Sequence, residues 1–154
     1  MSRVLGFRAD PSGARYAIIE HDGKIFQFVN RATENRLVFP ANLDEVPEKV
    51  LWLYREIKRI FHADPDIERV VIKTNEFVRR ETAAMRVSSY IEAAVMLYCE
   101  ENKIIVTTKS YASLGTSSAA VKAEAEQRVG KTAKYWDGKI ADAILAACWG
   151  TEQP

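Results

Sequence analysis

Two tight-turn signals within the first 25 residues constrain this chain most. Asp10-Pro11-Ser12-Gly13 places an acid that accepts from its own turn, then Pro at the second position. Asp22-Gly23 supplies a second reversal. Between and around them the residues are rich in Val, Ile, Leu, Tyr and Phe, so residues 3–9, 14–20 and 24–30 read as three short strands. Strands joined by tight turns pair antiparallel, and the chain must therefore begin as a meander.

Beyond the meander the rhythm of the chain changes. A polar stretch runs to Asn42. Asp44 then offers a helix cap, Pro47 is tolerated in a first turn, and Val46, Val50, Leu53, Tyr54, Ile57 and Phe61 recur at helical spacing. Val70-Val71-Ile72 is a continuous apolar run, as in a strand buried on both faces, within a strand over 69–74. A long helix is predicted over 80–101, with Ala84, Val87, Ile91, Ala94, Val95 and Tyr98 on its buried side. A strand over 103–108, a polar loop over 110–118, a helix over 119–129 and a last helix over 137–149 complete the order. Asp137 caps that last helix in this reading. A meander and then two strand–helix units predict an α/β domain: a five-stranded mixed sheet flanked by helices, with the first strand between the second and the fourth. Residues 1–150 form one domain in this reading, and residues 151–154 a frayed tail.

Composition narrows the function classes. The net charge is only +1, so a strongly basic nucleic-acid binder is not indicated, although a local basic face is compatible with it. Cys99 and Cys148 fall in apolar helical patterns and read as core thiols. No apolar run approaches a membrane span, and the start lacks a basic-then-apolar leader, so a cytoplasmic location and no membrane partner are expected. His21 and His62 have no metal-ligand spacing, the glycines form no phosphate loop, and Ser117-Ser118 has no nucleophile-elbow pattern.

Three blocks carry a resemblance. Val4-Leu5-Gly6-Phe7, a turn, then Tyr16-Ala17-Ile18-Ile19 is the first. Val70-Val71-Ile72-Lys73, Glu76-Phe77 and Tyr90-Ile91-Glu92-Ala93-Ala94-Val95 form the second, and Ile140-Ala141-Asp142-Ala143-Ile144-Leu145-Ala146-Ala147 the third. Together they resemble RuvC-type Holliday-junction resolvases, which have a ribonuclease H-like fold. The chain is also similar to a group of small, uncharacterised bacterial proteins with a degenerate RuvC-like domain.

The resemblance implies an acidic, two-metal centre, and the residues depart from it. The first-strand Asp of that pattern falls on Arg8 and the fourth-strand Glu on Lys73; the last-helix Asp is kept as Asp142. Two-metal phosphodiester chemistry needs oxygen ligands and negative charge, and two cations at those positions repel the metals. Asp142 and Glu76 remain the candidate catalytic acids. Asp10 reads as a turn cap and Glu92 as an acid in a structural ion pair. The altered centre is thus Arg8, Lys73 and Asp142, with a salt-bridge network through Asp142 in place of metals.

The expected function is a non-catalytic RuvC-like domain acting through nucleic-acid or protein binding, without a cofactor. One alternative is an active nuclease on structured DNA or RNA, with magnesium or manganese held by relocated carboxylates. Another is an oligomeric interaction module that touches no nucleic acid. Arg79, Arg80, Lys131 and Lys134 are the candidate contacts to branched or single-stranded nucleic acid. The resemblance also implies a homodimer.

Overall fold

The computed structural model describes residues 2–154. The meander forms as β1 (Arg3–Asp10), β2 (Gly13–His21) and β3 (Phe26–Phe28). Asp10 Oδ1 accepts from the backbone and hydroxyl of Ser12, which closes the first turn. β3 is shorter than the predicted third strand, and a further strand, β4 (Arg36–Val38), lies in the stretch expected to be irregular. Asn30 explains both differences. Its side chain accepts from the amide of Ile18 and donates to the carbonyls of Tyr16 and Glu34. It thus stands in for a ladder between the β2 residues that pair with β3 and those that pair with β4.

After β4 come α1 (Val46–Ala63), β5 (Ile67–Lys73), α2 (Ala83–Glu101), β6 (Ile105–Lys109), the single-turn α3 (Tyr111–Leu114), α4 (Val121–Val129) and α5 (Gly138–Thr151). Glu45 rather than Asp44 caps α1, its amide bonded to the Glu48 side chain. Thr82 caps α2, so the helix starts three residues later than predicted and Ala84 is exposed. Asp137 caps α5 through the amide of Ile140. α5 runs on through Thr151, and Arg69 donates to the carbonyl of Pro154.

The sheet has the order β3-β2-β1-β5-β6, with β4 also on β2 and β1 parallel to β5. β1 therefore lies between the second strand and the fourth predicted one. Six strands form instead of five. α1 and α2 cover one face over Leu5, Phe7, Val70 and Ile72; α5 covers the other over Val4, Ala17, Ile19 and Val71. Cys99 and Cys148 are buried free thiols, one in each core.

Gly6 sets how α5 sits. A Cβ there would fall 1.8 Å from the carbonyl oxygen of Ala143 and 2.8 Å from the amide of Ala147. Backbone meets backbone at that crossing, which is why the facing turns of α5 are alanines. Close seating also fixes Asp142 at the end of the sheet. Among the described residues no helix is long and apolar enough to cross a membrane.

Candidate functional site

The pairing register gathers cations. Arg8 on β1 faces Arg15 on β2, and Arg15 faces Arg36 on β4. Lys73 on β5 faces Lys109 on β6. Arg8 and Lys73 lie one step beyond the Phe7–Ile72 pair that joins β1 to β5. Residues opposite one another in a sheet project to the same face. Five strands thus each place one basic residue in a row on the α5 face.

Like charges so aligned repel unless anions or π faces compensate them. Arg8 Nε donates to Asp142 Oδ2 at 2.9 Å. Arg15 reaches Asp10 at 3.2 Å and Asp137 at 3.0 Å. Lys73, fully buried, lies 3.2 Å from Glu76 and donates to the carbonyl of Thr74. The outer members rest on aromatic rings: Arg36 lies 4.5 Å over Tyr135, and Lys109 3.9 Å over Trp149.

Tyr111 ties the centre together. Its hydroxyl donates to Asp142 Oδ1 at 2.8 Å, its ring lies 3.8 Å beneath the Lys73 ammonium, and its amide donates to Glu76 at 2.7 Å. Asp142 and Lys73 are therefore linked through Tyr111 rather than by a direct ion pair. Burial is the largest influence on both groups. It raises the Asp142 carboxyl above its ordinary range, against the pull of Tyr111 and Arg8, and lowers the Lys73 ammonium. The amide of Tyr111, then Lys73, hold Glu76 below its ordinary range.

Beside this network lies an open cleft of about 560 Å³, lined by Arg8, Arg15, Ser118, Asp137, Lys139 and Asp142 among others. Each of its carboxylates is already engaged by an arginine. Among the described residues no three His, Cys, Asp or Glu side chains are grouped to hold a metal ion. The donor set does not fit a two-metal centre.

Glu92 departs from expectation. It is 6% exposed and forms no ion pair among the described residues. Its Oε2 is buried without a hydrogen-bond partner. Burial pushes its carboxyl up to about 7, although Arg8 and Lys73 pull it back. The four candidate nucleic-acid contacts are exposed and come from two segments of the chain. Arg79 and Arg80 belong to the loop between β5 and α2, Lys131 and Lys134 to the segment between α4 and α5. Lys131 lies 3.8 Å from Glu126, and Lys134 lines a cleft with Arg31, Arg36 and Tyr135.

Sequence reasoning missed Arg15, Tyr111 and Lys139, and used Phe77 only as a mark of resemblance. Arg15 looks like an ordinary hairpin arginine until the register sets it opposite Arg8. Lys139 precedes Asp142 by one helical turn, a spacing that could have flagged it. Phe77, 96% exposed beside Arg79 and Arg80, was legible as an aromatic outside any periodic segment.

No protein-family model and no curated protein sequence matches the chain. Solved structures do. A Thermus thermophilus RuvC structure superposes with a TM-score of 0.75 at 14% identity, over 94% of this chain and 90% of that one. T. thermophilus RuvC in complex with a Holliday junction substrate gives 0.76 at 14% identity, over 98% of both chains. This chain has a RuvC-like fold. The yeast mitochondrial Holliday junction resolvase Ydc2 gives 0.64 at 12% identity, over 96% of this chain and 77% of that one. The cation row lies at the end of this RuvC-like sheet.

Proposed function

We propose that this RuvC-like domain binds branched or single-stranded nucleic acid without cleaving it. One observation carries the reading: the centre between β1, β5 and α5 is a satisfied Arg8–Asp142–Tyr111–Lys73–Glu76 network. Its acids are spent on protein cations, so a hard divalent cation would have to displace arginines to find oxygen ligands. The exposed loop carrying Phe77, Arg79 and Arg80 supports a binding role, because cations contact phosphates while an aromatic face stacks on bases. That T. thermophilus RuvC was captured with a Holliday junction substrate supports the choice of ligand. A homodimer belongs to the same reading. α1 and α2 leave a largely apolar groove with Leu51, Tyr90 and Leu97 exposed, which suits a second copy.

The test is a gel-shift and cleavage assay on four-way junction, duplex and single-stranded DNA, with and without manganese. Salt-sensitive shifts of intact DNA are expected. Manganese-dependent cleavage would restore the nuclease alternative. No shift, with a stable oligomer by light scattering, would leave the interaction module.

A further inference from the structure

Residues 31–36, which lead into β4, and residues 133–135, between α4 and α5, line a cleft of about 370 Å³. That volume falls in the roughly 300–1,000 Å³ range of small-ligand sites. Arg31, Arg36 and Lys134 lie in its wall, and none of the three forms an ion pair among the described residues. Glu34, the acid of the lining, is already engaged: its Oε1 accepts from the Tyr16 hydroxyl at 2.6 Å and from Arg59 at 2.7 Å. The cleft is therefore positive and suits an anion. Arg36 differs from its neighbours in the cation row. Arg8 and Arg15 meet carboxylates, whereas half-buried Arg36 rests on the Tyr135 ring. Its Nε is sealed without an acceptor, so a ligand can meet only the terminal Nη nitrogens.

Tyr135 is the second anomaly. Its φ is 60°, in the left-handed region that a bulky side chain rarely adopts. Two hydrogen bonds fix the segment before it: Thr132 Oγ1 donates to the carbonyl of Lys134 at 2.8 Å, and Arg31 Nε to that of Lys131 at 2.8 Å. Backbone strain persists where the surroundings enforce it, and it gathers at ligand clamps. Here it stands an aromatic ring beside three unpaired cations. Tyr135 is 56% exposed with Arg36 against one face of its ring, so the rest of the ring is open. A ligand that suits both features carries an anion next to a flat π face. A nucleotide of an unpaired strand is built that way, and a guanidinium fork matches phosphate oxygens. We infer that this cleft takes one nucleotide of single-stranded nucleic acid, its phosphate among Arg31, Arg36 and Lys134 and its base on the open part of the Tyr135 ring. The inference rests on the nucleic-acid reading above and adds a contact separate in sequence from the Phe77–Arg80 loop.

Fluorescence anisotropy with a labelled oligothymidylate and a labelled abasic strand of equal length tests it. The abasic strand keeps the phosphates and lacks the bases. Arg36→Met with Lys134→Gln keeps the aliphatic stems and removes two charges. It should weaken both strands roughly tenfold and flatten the salt dependence by roughly 0.7 in log–log slope, the share of one phosphate of a single strand. Lys134→Gln alone, at an exposed position, should give part of that loss. Tyr135→Gly suits the positive φ, so the fold should stand. It should cost the oligothymidylate roughly tenfold, as for one base stacked on an aromatic ring, and the abasic strand little. Thymidine monophosphate should displace the oligothymidylate at lower concentration than inorganic phosphate does. Equal displacement by the two, unchanged affinity in both charge variants, or equal losses on both strands in Tyr135→Gly overturns the inference while leaving nucleic-acid binding intact. Binding of neither strand, nor of a four-way junction, brings down both.

Discussion

Asp142 and Glu92 are buried carboxylates at the same end of one sheet, carried by helices on opposite faces, and both feel Arg8 and Lys73. Their surroundings differ in kind. Asp142 has an arginine on one oxygen and a tyrosine on the other. Glu92 has an orphaned oxygen sealed from solvent, and no arginine or tyrosine meets it. Burial alone does not tell a structural acid from a functional one. The number of donors within reach separates these two, because an unsatisfied buried acceptor costs stability.

The largest expected effect breaks the Asp142 side. Asp142→Ala strands Arg8 and the Tyr111 hydroxyl, and should cost roughly 3–5 kcal/mol in denaturant unfolding. Replacing the pair together, Arg8→Met with Asp142→Leu, should recover most of that loss, since a buried ion pair gains little over an apolar filling. A double variant as unstable as the single one would show that the network, not the stranded charge, sets the cost.

A smaller effect sharpens the Glu92 side. The folded carboxyl ionises near 7 and an ordinary one near 4.5, so between those values folding takes up a proton and stability falls as pH rises. At most the loss is on the order of 3 kcal/mol, and below pH 4.5 it vanishes. Glu92→Gln has no such proton. Its advantage over the parent should therefore grow from pH 4.5 to 7 and then level off. A difference independent of pH would mean that Arg8 and Lys73 already compensate Glu92.

The smallest effect per residue concerns the exposed cations. Changing Arg79, Arg80, Lys131 and Lys134 to Ala should weaken nucleic-acid binding alike for all sequences and flatten its salt dependence by roughly 3 to 4 in log–log slope if all four meet phosphates. A slope changed by half that amount would fit only one of the two separate pairs lying on the ligand.

Much of this architecture was legible in the sequence. Turn chemistry at Asp10–Gly13 and the Val70–Ile72 run located the central strands, since such signals are local. β4 was not legible, because three residues held to β2 across an Asn30 bridge leave no periodic trace. At the site, resemblance located Arg8, Lys73 and Asp142, but not who pairs with whom. Tyr111 binds three of the network's members only because β6 ends beside β5, and no spacing along the chain encodes that. Glu92 misled for a related reason: sequence shows that an acid sits among apolar neighbours, not whether a donor faces it.

The crossing of Gly6 by α5 has a consequence for folding time. The central strand β1 is made first among the elements, and its partners Ala143 and Ala147 come about 140 residues later. Contacts of such long range are slow to form. At roughly 5–20 residues per second, a ribosome would hold Val4, Ala17 and Ile19 without their cover for about 7 to 30 s, and Val71 for about half as long. During that interval the half-built sheet presents an apolar face with the buried cations Arg15 and Lys73 at its rim, charges that discourage association with other nascent chains until α5 arrives.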